Sequence, residues 1–320
     1  MALLEDQLKP CFTTEVIIIQ TIVSLTASNS NVTWFVYGFY IALFLAALKN
    51  LYKYRRENQA LYITWTTLLF LLCTLDNVVE TWYRVRQAIK IYTGEHTKDY
   101  ASLQVYAKHN LVKTIQRGFL MMLPVLSNFV AESMLIYRCY LVWFGNKWVG
   151  ISLVVMSILL NAVGLSGCVM FTIGFRDTRY EENISLLLKG NSINNGYLIA
   201  NGVFNTILTA LTAGRIYMIT HEAEKLLQYR TNRVRKTVVA VIIESGLIYP
   251  ASLIVYLVIL LRLDPNNQSL LPVDLSPLFM QAAGIAPTLI IVRALQGKTT
   301  DSVVQVVSAR NRDLLETTHA

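Results

Sequence analysis

Polar and apolar positions alternate along the chain in long blocks. Seven apolar stretches, each about as long as a bilayer-crossing helix, are separated by short polar segments: Val32–Leu51, Ala60–Trp82, Gly118–Trp143, Val149–Ile173, Gly196–Ile219, Val238–Leu261 and Leu275–Ala294. A helix rises ~1.5 Å per residue and needs ~20 mostly apolar residues to cross ~30 Å of hydrocarbon. The pattern therefore predicts an all-α, polytopic bundle of seven transmembrane helices. An outer segment (residues 1–31) precedes the transmembrane domain (32–295), and a short cytosolic tail (296–320) follows it. Within the outer segment, Val16–Leu25 is apolar but short, and Glu5 and Asp6 precede it. That start lacks the basic region of a signal peptide.

Composition sharpens the picture. Hydrophobic residues make up 54% of the 320, charged residues only 15%, and mean hydropathy is +0.45, well away from a soluble domain. The net charge of +8 does not point to nucleic acid, because the basic excess flanks the apolar stretches, where it meets anionic lipid headgroups. With the N-terminus outside, 16 of the 28 basic residues fall on the inner side; 7 of the other 12 lie in or beside the Tyr83–Lys113 connection. The positive-inside rule then favours N-terminus outside or lumenal and C-terminus cytosolic. Three N-x-S/T sequons begin at Asn31, Asn183 and Asn267, all on the proposed outer side. Asn31 lies too close to the membrane, which leaves Asn183 and Asn267 as the expected glycosylation sites. Plasma membrane and endomembrane both fit this topology.

Charges and amides inside apolar stretches are costly and usually face the bundle interior. Asp76 and Glu80 share one face of the second stretch with Cys73. They are candidate ligand contacts at the mouth of a cavity, or carboxylates that answer Arg84, Arg86 or Lys113. Asn201, Asn205, Thr209, Thr212 and Arg215 form a polar stripe on the fifth stretch, which either lines a cavity or joins helices. Ser157, Asn161, Gly164 and Cys168 on the fourth read as close helix packing. Arg138 on the third stretch and Glu244 on the sixth lie at similar depth, ~10 Å from the inner boundary by helical rise. They are expected to pair as a bridge that a switch could break, or one that simply holds the bundle. Glu132 also lies on the third stretch. Pro124, Pro250 and Pro287 interrupt three stretches and bend their helices.

Other chemistry is missing from the pattern. All four histidines, His96, His109, His221 and His319, fall outside the stretches, so no intramembrane metal or haem site is expected, and no cofactor. No Gly-rich phosphate loop, HExxH motif or histidine-backed nucleophile is present, and no enzyme activity is expected. The connection Thr220–Thr237 carries five basic residues against two acidic ones. It suits anionic lipid or a cytosolic signalling partner.

Three segments carry a resemblance: YRCYLVW at Tyr137–Trp143, ESGLIY at Glu244–Tyr249, and GIAPTLIIVR at Gly284–Arg293. In this order they resemble a family of seven-span proteins expanded in mushroom-forming (basidiomycete) fungi. The resemblance covers most of the chain; it implies the fold and says little of activity. The architecture is also distantly similar to G-protein-coupled receptors. However, Tyr137 and Cys139 flank Arg138 where those receptors have Asp-Arg-Tyr, and Ala286-Pro287 stands where they have Asn-Pro-x-x-Tyr. A receptor-like protein sensing a small or lipidic ligand is the first expectation, with Asp76, Glu80, Asn201 and Asn205 as ligand contacts and Arg138 and Glu244 as the switch. The alternatives are a transporter or lipid-translocating protein and a non-catalytic scaffold.

Overall fold

A computed structural model describes residues 30–53, 59–227, 232–263 and 277–293, and these form eight α-helices and no strand. They are α1 (Ser30–Lys53), α2 (Gln59–Thr97), α3 (Tyr100–Lys108), α4 (Leu111–Val142), α5 (Lys147–Phe175), α6 (Glu181–Leu227), α7 (Asn232–Leu263) and α8 (Pro277–Arg293). Five of them, α1, α2, α4, α5 and α6, are long and apolar enough to cross a membrane. The sixth and seventh expected spans coincide with shorter apolar helical stretches, Gly246–Ile259 within α7 and Pro277–Arg293. Five of the expected seven crossings thus meet the length and composition of a span. Residues 1–29 of the outer segment, the tail and Asn267 lie outside the described residues.

Helices overrun the apolar windows. At 39 residues α2 is about 58 Å long, and α6, at 47 residues, about 70 Å. The Tyr83–Lys113 connection is accordingly not a loop: α2 continues to Thr97, and α3 follows after a turn. Asp99 starts α3 by accepting the Ser102 amide at 3.1 Å. The Thr220–Thr237 connection is likewise largely helical, because α6 runs to Leu227 and α7 begins at Asn232. Hydropathy marks where hydrocarbon ends, whereas runs such as Glu222–Leu227 are good helix formers that continue the helix into water.

Packing follows chain order. α4 lies against α2, α5 and α6, and α6 lies against α5 and α7. Glycines bring α5 and α6 to backbone contact. A methyl group at Gly174 would sit 2.5 Å from the Leu187 amide nitrogen, and one at Gly190 would sit 2.5 Å from that of Phe171. Small residues at such crossings are what let helices associate where lipid removes the hydrophobic drive. Gly145 (φ 72°) closes the tight turn from α4 to α5, and Asn146 caps α5 by accepting the Trp148 amide. The Arg215 guanidinium of α6 lies over this turn, 5.3 Å from the Trp143 ring centre and 5.4 Å from that of Phe144.

Candidate functional site

The most buried charged side chain described is Glu132 on α4, with no exposed surface. Two helices supply its partners. From α5, the Ser157 hydroxyl and the Asn161 amide donate to Oε2, the latter at 2.8 Å. From α6, Asn201 Nδ2 donates to Oε1 at 2.5 Å. Behind these donors stand tyrosines: Tyr197 donates to Asn161 Oδ1 at 3.0 Å, and Tyr249 of α7 donates to Asn201 Oδ1 at 2.8 Å. Asn205 donates to the same Oδ1 at 2.8 Å, and Asn128 reaches Tyr197 at 3.5 Å. Each amide thus gives its N–H toward Glu132 and takes a hydrogen on its far side. The network ties α4, α5, α6 and α7 together, and it is polarised toward one carboxylate.

Beside it lies a small cavity of about 20 Å³, lined by Asn128, Asn205 and Tyr249 on its polar side and by Ala283, Ala286 and Pro287 of α8 on its apolar side. It has room for a single water molecule.

Asp76 and Glu80 lie elsewhere. Aromatic and cation contacts fix an antiparallel register of α2 on α4: Tyr62 and Trp65 against Tyr137 (6.0 and 5.4 Å), and Tyr83 under Arg117 (5.8 Å). That register sets Asp76 and Glu80 level with Pro124 and Leu120, in the proposed outer half. Both carboxylates are buried, and Glu80 accepts Arg84 Nε at 2.5 Å, one helical turn on. Around them three buried polar side chains, Asn77 on α2 and Gln116 and Ser127 on α4, have no hydrogen-bond partner among the described residues. Gln116, Leu120, Leu123, Ser127, Val130 and Met134 recur at helical steps and are all buried, which makes the face toward α2 a seam with polar gaps.

The four expected ligand contacts therefore divide into two places. Asn201 and Asn205 belong to the Glu132 hub. Asp76 and Glu80 lie buried on α2, on the face of Cys73, whose thiol donates to the Met280 carbonyl of α8 at 3.8 Å, and α2 does not touch α6. The expected Arg138–Glu244 bridge does not form. Glu244 is held by Arg293 of α8, Nη1 to Oε2 at 2.8 Å and Nη2 to Oε1 at 3.4 Å, while the Arg138 guanidinium lies 5.8 Å from the Tyr62 ring on the α2 side. Equal depth did not put the two side chains on facing sides of their helices.

Sequence reasoning also placed Ser157 and Asn161 in mere packing and gave Glu132 no partner. The signal was present as pairs four residues apart near mid-span: Asn128 with Glu132, Ser157 with Asn161, and Tyr197 with Asn201.

In the α5–α6 turn, outside the apolar stretches, Asp177 takes both Arg179 Nε (2.8 Å) and Nη2 (2.6 Å) and lies 3.3 Å from His109 Nδ1. Chiefly the Arg179 hydrogen bonds hold its carboxyl down at about 2. Asn183, in the first turn of α6, donates its side-chain amide to the Asp177 carbonyl at 2.9 Å. Cys73, Cys139 and Cys168 are buried free thiols, as their apolar settings predict. Among the described residues no group of three or more His, Cys, Asp or Glu side chains converges as metal ligands. Comparison with family models, curated proteins and solved structures finds no match to this chain.

Proposed function

We propose that the chain is a seven-span, receptor-like membrane protein. It takes a small polar or lipidic ligand at the α2–α4 seam, and the Glu132 hub passes the change to the inner face. The observation that carries this reading is the set of buried, unpartnered groups of Asn77, Gln116 and Ser127 around Asp76 and Glu80. A buried polar group left without a partner costs ~1–3 kcal/mol, so a ligand offering donors and acceptors gains there what the empty seam forgoes. Ser127 and Asn128 are neighbours on α4, one facing the seam and the other the hub. Inward of the hub, α7, which carries Pro250, is clasped to α8 by Glu244–Arg293, a bistable element where a signal would emerge. The clasp takes the switch role expected of an Arg138–Glu244 bridge. In this reading the N-terminus is outside, the C-terminus is cytosolic, and the basic helix ends around residues 220–237 meet lipid headgroups or a signalling partner.

Spin labels at Leu141 and Ile243, both exposed at the inner ends of α4 and α7, test it in the full chain in nanodiscs. Glu244→Gln and Arg293→Gln should each populate a second, longer distance. A single distance identical to wild type in both variants would overturn the switch. A glycosidase-sensitive mobility shift lost in Asn183→Gln would place the α5–α6 turn outside. A second reading, a transporter, is favoured by the intramembrane carboxylate itself, since such groups mark ion and proton paths. Solute flux in proteoliposomes that Glu132→Gln abolishes would select it.

A further inference from the structure

Glu132 sits at mid-bundle with three donors converging on its two oxygens, and none of its hydrogen-bond partners carries a positive charge. The titratable groups that face it are Tyr197 from α6 and Tyr249 from α7, with Cys168 of α5 beside Tyr197. On α2 the buried carboxylates are Asp76 and Glu80. On α8 the charged side chain described is Arg293, which is engaged by Glu244. An anion held only by neutral dipoles in a low-dielectric interior has one inexpensive route to neutrality, a proton on the carboxylate itself.

The hub has a member able to accommodate that proton without rebuilding. Ser157 donates to Oε2 now, but a helical serine hydroxyl can turn to the carbonyl four residues back. Thr206, Thr209 and Thr212 on the neighbouring α6 all do so, at 2.8, 2.9 and 2.8 Å. With Ser157 turned to the Leu153 carbonyl, its oxygen becomes the acceptor for a proton on Oε2. The two asparagines cannot follow suit, because Tyr197, Tyr249 and Asn205 fix their amide orientation from behind.

We propose that Glu132 is a proton-binding site. One proton passes from water to Glu132 Oε2, the Ser157 hydroxyl rotates from donor to acceptor, and the carboxylate charge is lost. Nothing else is consumed or released. The amide bonds from Asn161 and Asn201 then change from charge-assisted to neutral, about half as strong, and α5 and α6 are held less firmly to α4. The inference depends on the hub and stands whether the protein signals or transports.

The test is pH-difference infrared spectroscopy of the full chain in lipid nanodiscs. As pH is lowered over the range above that in which exposed carboxylates titrate, wild type should gain one protonated-carboxyl C=O band per chain. Asp76→Asn should keep that band and Glu132→Gln should lose it. Absence of any such band in wild type, or its survival in Glu132→Gln, would overturn the proposal. Should Glu132→Gln fail to fold, Ser157→Ala serves instead: it removes the group that must rotate and should move the midpoint by about one pH unit or more. An unmoved midpoint would be equally fatal. Spin labels on α4 and α6 should shift with the same midpoint as the band.

Discussion

Asn201 is the joint of the hub, and truncating it to alanine exposes how the bundle is held. Its amide donates to Glu132 Oε1 at 2.5 Å, and its carbonyl accepts from Tyr249 at 2.8 Å and from Asn205 at 2.8 Å. One of these three bonds is to a charged group. In water-soluble proteins such a bond contributes ~1.5–3 kcal/mol and a neutral one ~0.5–1.5 kcal/mol. Between membrane helices the measured average is nearer 0.6 kcal/mol, with a maximum of about 1.7. Three bonds at membrane values give ~2–4 kcal/mol for Asn201→Ala, with the upper half applying because an acceptor of the Glu132 carboxylate is left bare. Asn205→Ala removes one side-chain bond and a bond to the Asn201 carbonyl, and should cost about 1 kcal/mol. Reversible unfolding of the full chain in mixed detergent micelles measures both. A double-mutant cycle of Asn201→Ala with Tyr249→Phe should show coupling of about 1 kcal/mol, since both remove one bond. The lipid-facing Ile207→Ala is the reference for mere truncation. If Asn201→Ala costs no more than Ile207→Ala, or if the cycle is additive, the hub does not hold these helices and the argument from its geometry fails.

Other consequences are as sharp. Gly174→Ala and Gly190→Ala each place a methyl group 2.5 Å from backbone nitrogen, which cannot yield, so both should lower the thermal midpoint strongly. Gly196→Ala on the same α6 meets nothing within 4 Å and should be neutral or stabilising by up to ~1 kcal/mol. Arg293→Gln and Glu244→Gln should give the same spin-label distance change, and the double variant should add nothing, because they remove one contact; Arg138→Gln should differ from both. At the α5–α6 turn the Asp177 carboxyl is depressed to about 2, so its interactions are fully present above the ordinary carboxylate range and fade as pH falls through about 2. Amide-exchange protection factors around residues 176–180 should therefore fall in acid in wild type, and in Asp177→Asn should be low already at neutral pH.

How much of this was legible in sequence depends on which interactions are local. Apolar runs are dictated by hydrocarbon, and each described span is found where its run lies. Helix extent was misjudged at Tyr83–Lys113 and Thr220–Thr237, because water tolerates a helix as readily as a loop and hydropathy does not distinguish them. The Glu80–Arg84 pair was readable, being one helical turn apart. The hub was not: Glu132 finds its partners 25, 29 and 69 residues away, and which face each helix turns inward is set only on assembly. Depth along a helix can be counted from its boundary, whereas its rotation cannot, and the failed Arg138–Glu244 pairing is a failure of rotation.

Rotation is also the quantity that lipid leaves open. The outer face of α5 exposes Ile151, Val154, Val155, Ile158, Leu159 and Val169, a broad apolar face, and α5 carries Leu153 and Phe171 on its buried side as well. Turning α5 about its axis would exchange one apolar contact for another at little cost, because acyl chains and leucine side chains are equivalent surroundings. Two features forbid the turn. Ser157 and Asn161 reach Glu132 from one azimuth only, and the glycine contacts with α6 exist on one stripe only, at Gly167 and Gly174. The polar contact sets direction and the glycines set distance. A hub that must satisfy one carboxylate from two other helices, with a third braced behind them, thus selects a single arrangement among many of similar apolar burial. Loosening it, by substitution or by a proton, should release helix rotation before it releases the fold.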